Sequence, residues 1–246
     1  MKKSYLRGIS GMLVFIFIWQ FSVVFTAKNL PMAAQFAPLP TVENLWQLLQ
    51  TGEIFPHIGA SLQRVIIGLT AALVVGVPIG LALGFSPRLA QYCTPAFQFL
   101  RMISPLSWMP IVVIVFGVGD LPIYFLLGFA AVWSLIIATS AGVQSIDPQW
   151  LQLARVMLAS KSEILRKIVA PAIAAHILTG LRVALGIVWV VLVPCEMLGV
   201  NEGLGYFILD TRDRLAYSEL MAVVVIIGLL GWGLDSLLRV LLGKRT

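Results

Sequence analysis

Residues 58–85 read IGASLQRVIIGLTAALVVGVPIGLALGF, an apolar run that contains one charged side chain, Arg64. A helix that crosses a bilayer needs about 20 mainly apolar residues, and this run is longer. Gly76, Gly80 and Gly84 recur at every fourth position, which places three small residues on one helical face. The run therefore predicts a membrane-spanning helix that a neighbouring backbone can approach closely. Packing inside the chain is the favoured use of this face, and lining a pore or contacting another subunit is the alternative.

The composition of the whole chain is that of a membrane protein. Of 246 residues, 59% are hydrophobic and 11% are charged, whereas soluble domains carry about 25% charged residues. Cys93 and Cys195 lie in apolar runs and form neither a CxxC pair nor a disulfide framework, which argues against zinc and redox chemistry. The net charge of +6 comes from Lys and Arg beside apolar runs, so nucleic acid is not an expected partner.

Six apolar segments are long enough to cross a bilayer, and we predict an all-α integral membrane protein with one domain, residues 1–246. The first segment follows a basic start, but its apolar core is too long for a signal peptide, so we interpret it as an anchor. Residues 28–57 are interpreted as an outer connector in which Thr41 caps a short helix. The predicted spans are 9–27, 58–85, 91–118, 122–143, 176–200 and 217–242.

The short loops between the spans carry an uneven share of basic residues. With the N-terminus inside, eleven Lys and Arg residues fall on the cytoplasmic side and four on the outside. Because cytoplasmic loops are enriched in Lys and Arg, this bias predicts that both termini are cytoplasmic. The inside set is Lys2, Lys3, Arg7, Arg88, Arg155, Lys161, Arg166, Lys167, Arg239, Lys244 and Arg245, and the outside set is Lys28, Arg64, Arg212 and Arg214.

The third predicted span contains Pro95, Pro105 and Pro110. Each proline removes a backbone donor and frees a carbonyl, which is tolerated at membrane depth only beside protein or a water-filled cavity. We therefore expect a broken helix beside a conduit, with Arg101 near the cytoplasmic end, where its side chain can reach the interface. The candidates in this span for lining a path are Arg101, Ser104, Ser107 and Trp108.

The fifth predicted span carries two charged side chains. Glu196 lies near its outer end, and an acid inside a membrane is a functional candidate by default. Pairing with an arginine is an equal alternative. Arg182 lies in the inner half of the same helix, where it can line the path or meet a carbonyl or an acid of a neighbouring helix. His176 has no second ligand, so no metal site is predicted.

The long cytoplasmic segment between the fourth and fifth spans predicts two short amphipathic helices in residues 147–171. Asp147 can cap the first helix, with Pro148 at its first position. Ser160 can cap the second helix, with Glu163 completing a capping box. Two such helices at the membrane face would form a docking surface for a cytoplasmic partner. A connector that lies on the lipid surface is the alternative.

In this segment the chain resembles the inner-membrane permease subunits of binding-protein-dependent ABC importers, in the nitrate, sulfonate, taurine and bicarbonate group. The signature of that family is Glu-Ala-Ala, three residues, Gly, nine residues, Ile, one residue and Leu-Pro. Ala154, Ile168 and Pro171 match the signature, while Gln152, Leu153, Leu158 and Ala170 stand at its remaining positions. Residues 104–110, 177–198 and 202–206 also resemble the family.

The resemblance implies a type I importer permease with six spans, which is a non-catalytic subunit in a bacterial inner membrane. It implies cytoplasmic ATPase subunits that bind ATP and Mg²⁺, a second and identical permease copy, a periplasmic or lipid-anchored solute-binding protein, membrane lipid and a small anion as substrate. Because Leu158 replaces the family glycine and a positive φ is costly for leucine, we expect a less sharp bend or a bend at another residue. The residues implied to contact the ATPase are Gln152, Leu153, Ala154, Leu158, Ser160, Ile168 and Pro171.

Two alternatives to an anion importer remain at this point. The chain has no GxxxxGK[ST] phosphate loop, so ATP hydrolysis must come from another polypeptide. A stand-alone secondary carrier or channel would need acids at mid-membrane in broken helices, and only Glu196 comes close. An ABC permease for an uncharged or cationic small molecule is the second alternative.

Overall fold

The computed structural model describes residues 2–243, and within them every regular element is helical. Five helices are long and apolar enough to cross a membrane, or six if one bent pair counts as a single span. Lys244 and Arg245, which contribute to the predicted orientation, lie outside the described residues. The helices are α1 (Lys2–Ala27), α2 (Pro38–Thr51), α3 (Ile54–Phe85), α4 (Pro87–Met102), α5 (Met109–Phe116), α6 (Asp120–Gln144), α7 (Pro148–Val156), α8 (Lys161–Glu163), α9 (Ala170–Glu196), α10 (Leu204–Asp213) and α11 (Tyr217–Gly243).

Three shorter stretches connect these helices. Two are 3-10 helices, Pro31–Phe36 and Pro105–Trp108, and the third is a π-helical stretch, Ile164–Val169. The π-helical stretch joins α8 to α9, so the chain is helical without a break from Lys161 to Glu196.

Helix α6 forms the centre of the bundle, with extensive contacts to α3 and α9. Helix α3 runs parallel to α6 and approaches it along the glycine stripe seen in the sequence. A Cβ atom added to Gly76, Gly80 or Gly84 would lie 3.0, 2.6 or 2.5 Å from the nearest side-chain atom of α6. These distances are shorter than van der Waals contact, so the stripe permits an approach that larger residues would block. Its favoured interpretation, packing within the chain, is confirmed.

Helix α9 runs antiparallel to α6 and makes a second close contact. A Cβ atom added to Gly180 would meet Ala138 of α6, and one added to Gly142 of α6 would meet His176 of α9. Apolar side chains of the three helices fill the space among them, including Leu135, which has no exposed surface. The core of α3, α6 and α9 thus connects the two ends of the bundle.

The two ends of this core have different neighbours. At one end, α3 terminates at Phe85 and α6 terminates at Gln144, and the segment of α7 and α8 follows; we call it the coupling end. At the other end, α6 begins at Asp120 and α9 terminates at Glu196; we call it the Glu196 end. Helix α10 and part of α11 pack there around the buried side chain of Phe207.

The third predicted span is broken, as its prolines predict. Helix α4 and the stretch Pro105–Phe116 meet at an angle of 85°. Ser104 is extended, with φ −58° and ψ 129°, as expected for a residue that precedes a proline. Pro105 and Pro110 both occupy the first turn of a helix, where a missing N–H leaves no hydrogen bond unmade.

The connector between α1 and α3 differs from its prediction, because Thr41 does not cap a helix. Helix α2 begins at Pro38, whose fixed φ suits the first turn. Thr41 therefore lies inside the helix, and its Oγ1 donates a hydrogen bond to the Ala37 carbonyl at 2.8 Å. Asn44 donates in the same way to the Pro40 carbonyl at 2.9 Å.

Candidate coupling surface and buried polar centre

Residues 147–169 contain both helix caps that the sequence predicts. Asp147 Oδ1 accepts a hydrogen bond from the Gln149 N–H at 2.8 Å, and Pro148 is the first residue of α7. Ser160 Oγ accepts from the Glu163 N–H at 3.2 Å, while Glu163 Oε2 accepts from the Ser160 N–H at 3.0 Å. This reciprocal pair is a capping box, and both predictions are confirmed.

The chain bends between the two helices at Leu158, which has a φ of 57°. The Leu158 N–H donates to the Arg155 carbonyl and the Ala159 N–H donates to the Ala154 carbonyl, both at 3.0 Å. These are the two hydrogen bonds of a Schellman C-cap. The expectation that leucine moves or flattens the bend is therefore wrong. The C-cap and the adjoining capping box hold a left-handed conformation that costs a non-glycine residue about 1–2 kcal/mol.

The bend carries an exposed apolar face. Leu158 is 92% exposed and Leu153 is 50% exposed. Trp150, Val156 and Met157 are exposed by 61%, 80% and 73%. These three are missing from the predicted coupling residues, although the spacing of Trp150, Leu153 and Met157 indicates one helical face. We call the five side chains the coupling surface.

The opposite face of α7 packs on the bundle. Ala154 is buried, and Leu151 packs against a buried cluster that includes Val169 and Ile173. Leu151 therefore attaches α7 to the bundle, and the buried Ala154 is not available to a partner in this conformation. Of the other predicted coupling residues, Ile168 is half-buried, and the exposed ones are Gln152, Leu153, Leu158, Ser160 and Pro171.

At the Glu196 end, polar side chains are buried between helices. Glu196 has no exposed surface, and Arg64 is 4% exposed. Glu196 Oε1 accepts hydrogen bonds from Arg64 Nη1 at 2.6 Å and from Ser61 Oγ at 2.8 Å, and Oε2 accepts from the Gly205 N–H at 2.9 Å. Arg64 Nε donates to Asp120 Oδ1 at 2.8 Å. We call Ser61, Arg64, Asp120 and Glu196 the polar centre, in which Glu196 is paired with an arginine.

The polar centre also fixes the start of α10. The Leu204 N–H donates to Ser61 Oγ at 2.9 Å, and Arg64 Nη1 donates to the Glu202 carbonyl at 2.7 Å. Gly203 has a φ of 120°, and a Cβ atom there would collide with Arg64. A carboxylate is stabilised at a helix N-terminus. The polar centre therefore connects α3, α6, α9 and α10 through one set of hydrogen bonds.

The structure places four of the six predicted path residues together. Arg101, Ser104, Ser107 and Trp108 lie at the break between α4 and α5, and the first three are exposed. The Trp108 ring packs against Phe129 of α6, with centroids 5.8 Å apart. The break thus gathers one cation and two hydroxyl groups on the surface of the bundle.

Arg182 and Glu196, the other two predicted path residues, lie elsewhere. Arg182 Nε donates to Asp235 Oδ1 of α11 at 2.5 Å, and Asp235 also pairs with Arg239 at 2.7 Å. One of the alternatives for Arg182 in the sequence analysis is an acid of a neighbouring helix, and Asp235 is that acid. Neither Arg182 nor Glu196 has an unpaired charge in this conformation. Among residues 2–243, no group of three or more His, Cys, Asp or Glu side chains could hold a metal ion.

Most of the chain matches a known protein family. The sequence model described as "Binding-protein-dependent transport system inner membrane component" matches residues 72–243. The chain belongs to this family. The permease is 36% identical to the bicarbonate transport system permease protein CmpB of Synechococcus elongatus, over 94% of this chain and 85% of CmpB. It is 33% identical to the nitrate import permease protein NrtB of Leptolyngbya laminosa, over 91% of this chain and 81% of NrtB.

A solved structure of the MetNI methionine ABC transporter has the same fold as this permease. The TM-score is 0.66 at 16% identity, and the match covers 82% of the permease and 97% of the MetNI chain. The predicted fold class, a type I importer permease, is confirmed. The family match of residues 72–243 includes the whole coupling surface as well as Asp120 and Glu196, whereas Ser61 and Arg64 precede it.

Proposed function

We propose that this permease forms the translocation path of an ATP-driven importer for a small anion of the nitrate, sulfonate, taurine or bicarbonate class. Two identical copies form the path, and each copy docks on a cytoplasmic ATPase subunit that binds ATP and Mg²⁺. An external solute-binding protein delivers the anion. The permease is the non-catalytic subunit, and residues 1–246 act as one domain that crosses the membrane six times.

The observation that carries this proposal is the coupling surface. Its five apolar side chains are each at least half exposed, and contiguous exposed apolar groups mark sites of interaction. A helix that rests on lipid lies flat with one apolar stripe turned toward the bilayer. Here the exposed groups continue from α7 onto the bend, where Leu158 projects from a left-handed residue. A projecting apolar tip suits insertion into a protein cleft better than a flat lipid surface.

The attachment of the coupling segment supports transmission of movement to the membrane. Helix α8 continues into α9 without a break, and Leu151 packs α7 against a cluster that includes Val169 and Ile173 of the same continuous helix. When the ATPase subunits close on ATP, we expect the segment 147–171 to move as one piece with α9. That movement shifts α9 and the broken span and exposes the path alternately to the two sides.

The broken span supplies the proposed path and the contact with the second copy. Helix α5 exposes Ile111, Ile114 and Val115 by 54%, 84% and 66%. We assign this apolar face to the second copy, and lipid covers the remaining exposed apolar surface. The path residues are those at the break, Arg101, Ser104, Ser107 and Trp108.

The class of substrate follows from the relatives and from charge. CmpB and NrtB are named for bicarbonate and nitrate, which are both small anions. Because Arg64 and Arg182 are each paired with acids, these two arginines do not form a tight anion site, and we assign selectivity to the binding protein. We place the coupling end and both termini in the cytoplasm of a bacterial cell, with the permease in the inner membrane.

The proposal is tested by purification with a C-terminal tag from the native membrane in mild detergent. We expect an ATPase subunit to co-purify, and a solute-loaded binding protein to stimulate ATP hydrolysis. Uptake into proteoliposomes would then be measured with nitrate, bicarbonate, taurine and alkanesulfonates in turn. A chain that purifies alone and moves solute without ATP would refute the importer and favour a secondary carrier. The pairing of Glu196 with Arg64 supports the importer, because the acid on which a secondary carrier would depend has a partner within the chain.

A further inference from the structure

A groove of about 330 Å³ lies between α4 and α6 at the coupling end. Two polar stripes line it: Thr94, Gln98 and Arg101 of α4, and Ser140 and Gln144 of α6. The helical repeat places each stripe on one face of its helix. The groove therefore collects polar side chains from two elements that are separated along the chain by the break and by α5.

Several hydrogen-bond donors of the groove have no acceptor within the described chain, although the Thr94 hydroxyl donates to the Ala90 carbonyl at 2.6 Å. In the part of the chain that the structure describes, Arg101 and Gln98 make no hydrogen bond or ion pair. Gln144 Nε2 donates to Ser140 Oγ at 3.2 Å, which leaves a second amide N–H and the Ser140 hydroxyl proton free. No described Asp or Glu lines the groove. A guanidinium, two amides and a hydroxyl without a carboxylate form a set of donors that suits an anion.

Arg101 differs in this respect from the other three arginines of the predicted spans. Arg64 is held by Asp120 and Glu196, and both Arg182 and Arg239 are held by Asp235. The chain thus supplies acids for three of the four guanidinium groups and leaves the fourth facing a groove.

The apolar part of the groove limits the size of a ligand. Phe97 of α4 and Trp133 of α6 line it and pack against each other, with ring centroids 5.5 Å apart. The volume is at the lower end of the range for small-molecule sites, which is about 300–1,000 Å³. We propose that this groove binds the oxyanion group of a small, singly charged ligand, with Arg101 and Gln98 contributing from α4 and Ser140 and Gln144 from α6.

The position of the groove gives the site a role in the transport cycle. Gln144 is the last residue of α6 and precedes the cap of α7, Asp147. Arg101 lies on the other side of the groove, next to the break of the third span. A bound oxyanion would bridge the two, so its affinity is expected to change when the coupling segment moves.

Two sources can supply such an oxyanion group, a free anion or the phosphate of a lipid headgroup. The choice of nitrate as the free probe rests on the function proposed above. The set of hydrogen-bond donors indicates an anion independently of that function. The full-length permease would be purified with its partner subunits and placed in phosphatidylcholine nanodiscs, and nitrate binding followed by NMR line broadening of labelled nitrate. In parallel, phosphatidylglycerol retained from mixed bilayers would be counted by native mass spectrometry.

The variants are Arg101→Gln and Gln98→Leu, with Arg88→Gln as the matched control, since Arg88 is an exposed arginine of α4 outside the groove. Loss of a charge-assisted hydrogen bond predicts that Arg101→Gln weakens binding by about tenfold or more, and Gln98→Leu by less. Nitrate binding that depends on Arg101 identifies the free anion, and phosphatidylglycerol retention that depends on Arg101 identifies the lipid. The proposal is overturned if neither probe depends on Arg101, or if Arg88→Gln has the same effect. ATP-driven uptake by the wild type is measured separately, so failure of the importer function is distinguishable from failure of this site.

Discussion

At the Glu196 end of the bundle, charged groups are buried and paired inside the chain, whereas at the coupling end, large apolar groups are exposed. Glu196 has no exposed surface and accepts hydrogen bonds from three groups on two helices, α3 and α10. Leu158 is 92% exposed and stands on a left-handed bend. The polar groups of the Glu196 end have their hydrogen-bond partners within the chain, whereas the apolar groups of the coupling end are left exposed for a partner protein. Substitutions at the two ends should therefore affect different quantities, the free energy of unfolding at one and the assembly with a partner at the other.

The largest effect on stability is expected from Arg64→Met. Without its guanidinium, Glu196 would be a buried charge held only by Ser61 and a backbone N–H. Removal of one partner of a buried ion pair costs about 3–5 kcal/mol. The measurement is the rate at which a thiol reagent modifies Cys195, which has no exposed surface, across a denaturant series in a Cys93→Ser background.

Two comparisons make this prediction specific. Arg212→Met removes an ion pair of the same end whose side chains are 57% and 67% exposed, and a loss of less than about 1 kcal/mol is expected. The double variant Arg64→Met, Glu196→Met removes both charges and should recover much of the lost stability, because an apolar pair replaces a buried ion pair. Equal losses in the two single arginine variants would show that the polar centre is not what holds the Glu196 end.

The largest effect on assembly is expected from Leu153→Asp. A charge placed at the centre of an apolar docking surface is expected to cost about 2–4 kcal/mol of binding free energy. Unfolding should change little, because Leu153 is half exposed. The measurement is the amount of ATPase subunit retained on the tagged permease. The control is Leu215→Asp, which changes a 60% exposed leucine of the Glu196 end. Unimpaired retention of the ATPase subunit by Leu153→Asp would show that this subunit does not dock on the coupling surface.

An intermediate effect is expected from Gly80→Ala in the contact that joins the two ends. The added Cβ would lie 2.6 Å from the Thr139 Cβ, and overpacking of this kind costs about 1–3 kcal/mol. Gly186→Ala of α9, where a Cβ would meet nothing within 4 Å, should be neutral or slightly stabilising, because alanine favours helix. The rate of Cys195 modification across a denaturant series measures the stability of both variants. Equal stability of the two variants would show that α3 and α6 can separate without loss.

The features that the sequence predicts correctly depend on nearby residues. The caps at Asp147 and Ser160 involve partners within three positions, and the break follows from Pro105 itself. The prediction that Thr41 caps a helix is wrong for a local reason too, because the helix already begins at Pro38 and Thr41 lies inside it. Local chemistry thus accounts for the helices, their ends and one break.

The features that the sequence does not predict have two causes. The sequence leaves the pairing of Glu196 with an arginine open but does not identify Arg64, which is 132 positions away, and the exposure of Trp150 and Met157 depends on which face of α7 packs against the bundle. Both of these outcomes are decided by tertiary packing. The bend at Leu158 is local, because it is set by hydrogen bonds to carbonyls of α7 that override the intrinsic preference of leucine.

The smallest effect is expected from Leu158→Gly, and it separates strain from contact. Glycine removes the cost of a left-handed leucine, about 1–2 kcal/mol, so amide exchange in residues 153–163 should slow. Leu215 has a φ of 59° and the same pair of C-cap hydrogen bonds, so Leu215→Gly should slow exchange at the end of α10 by a similar factor. Only Leu158→Gly should also reduce ATPase retention, because it deletes an apolar side chain of the coupling surface. Leu158→Ala, which keeps the strain, should reduce retention equally and leave exchange unchanged. Full retention by both the glycine and the alanine variants would mean that the bend, and not the leucine side chain, is what the partner recognises.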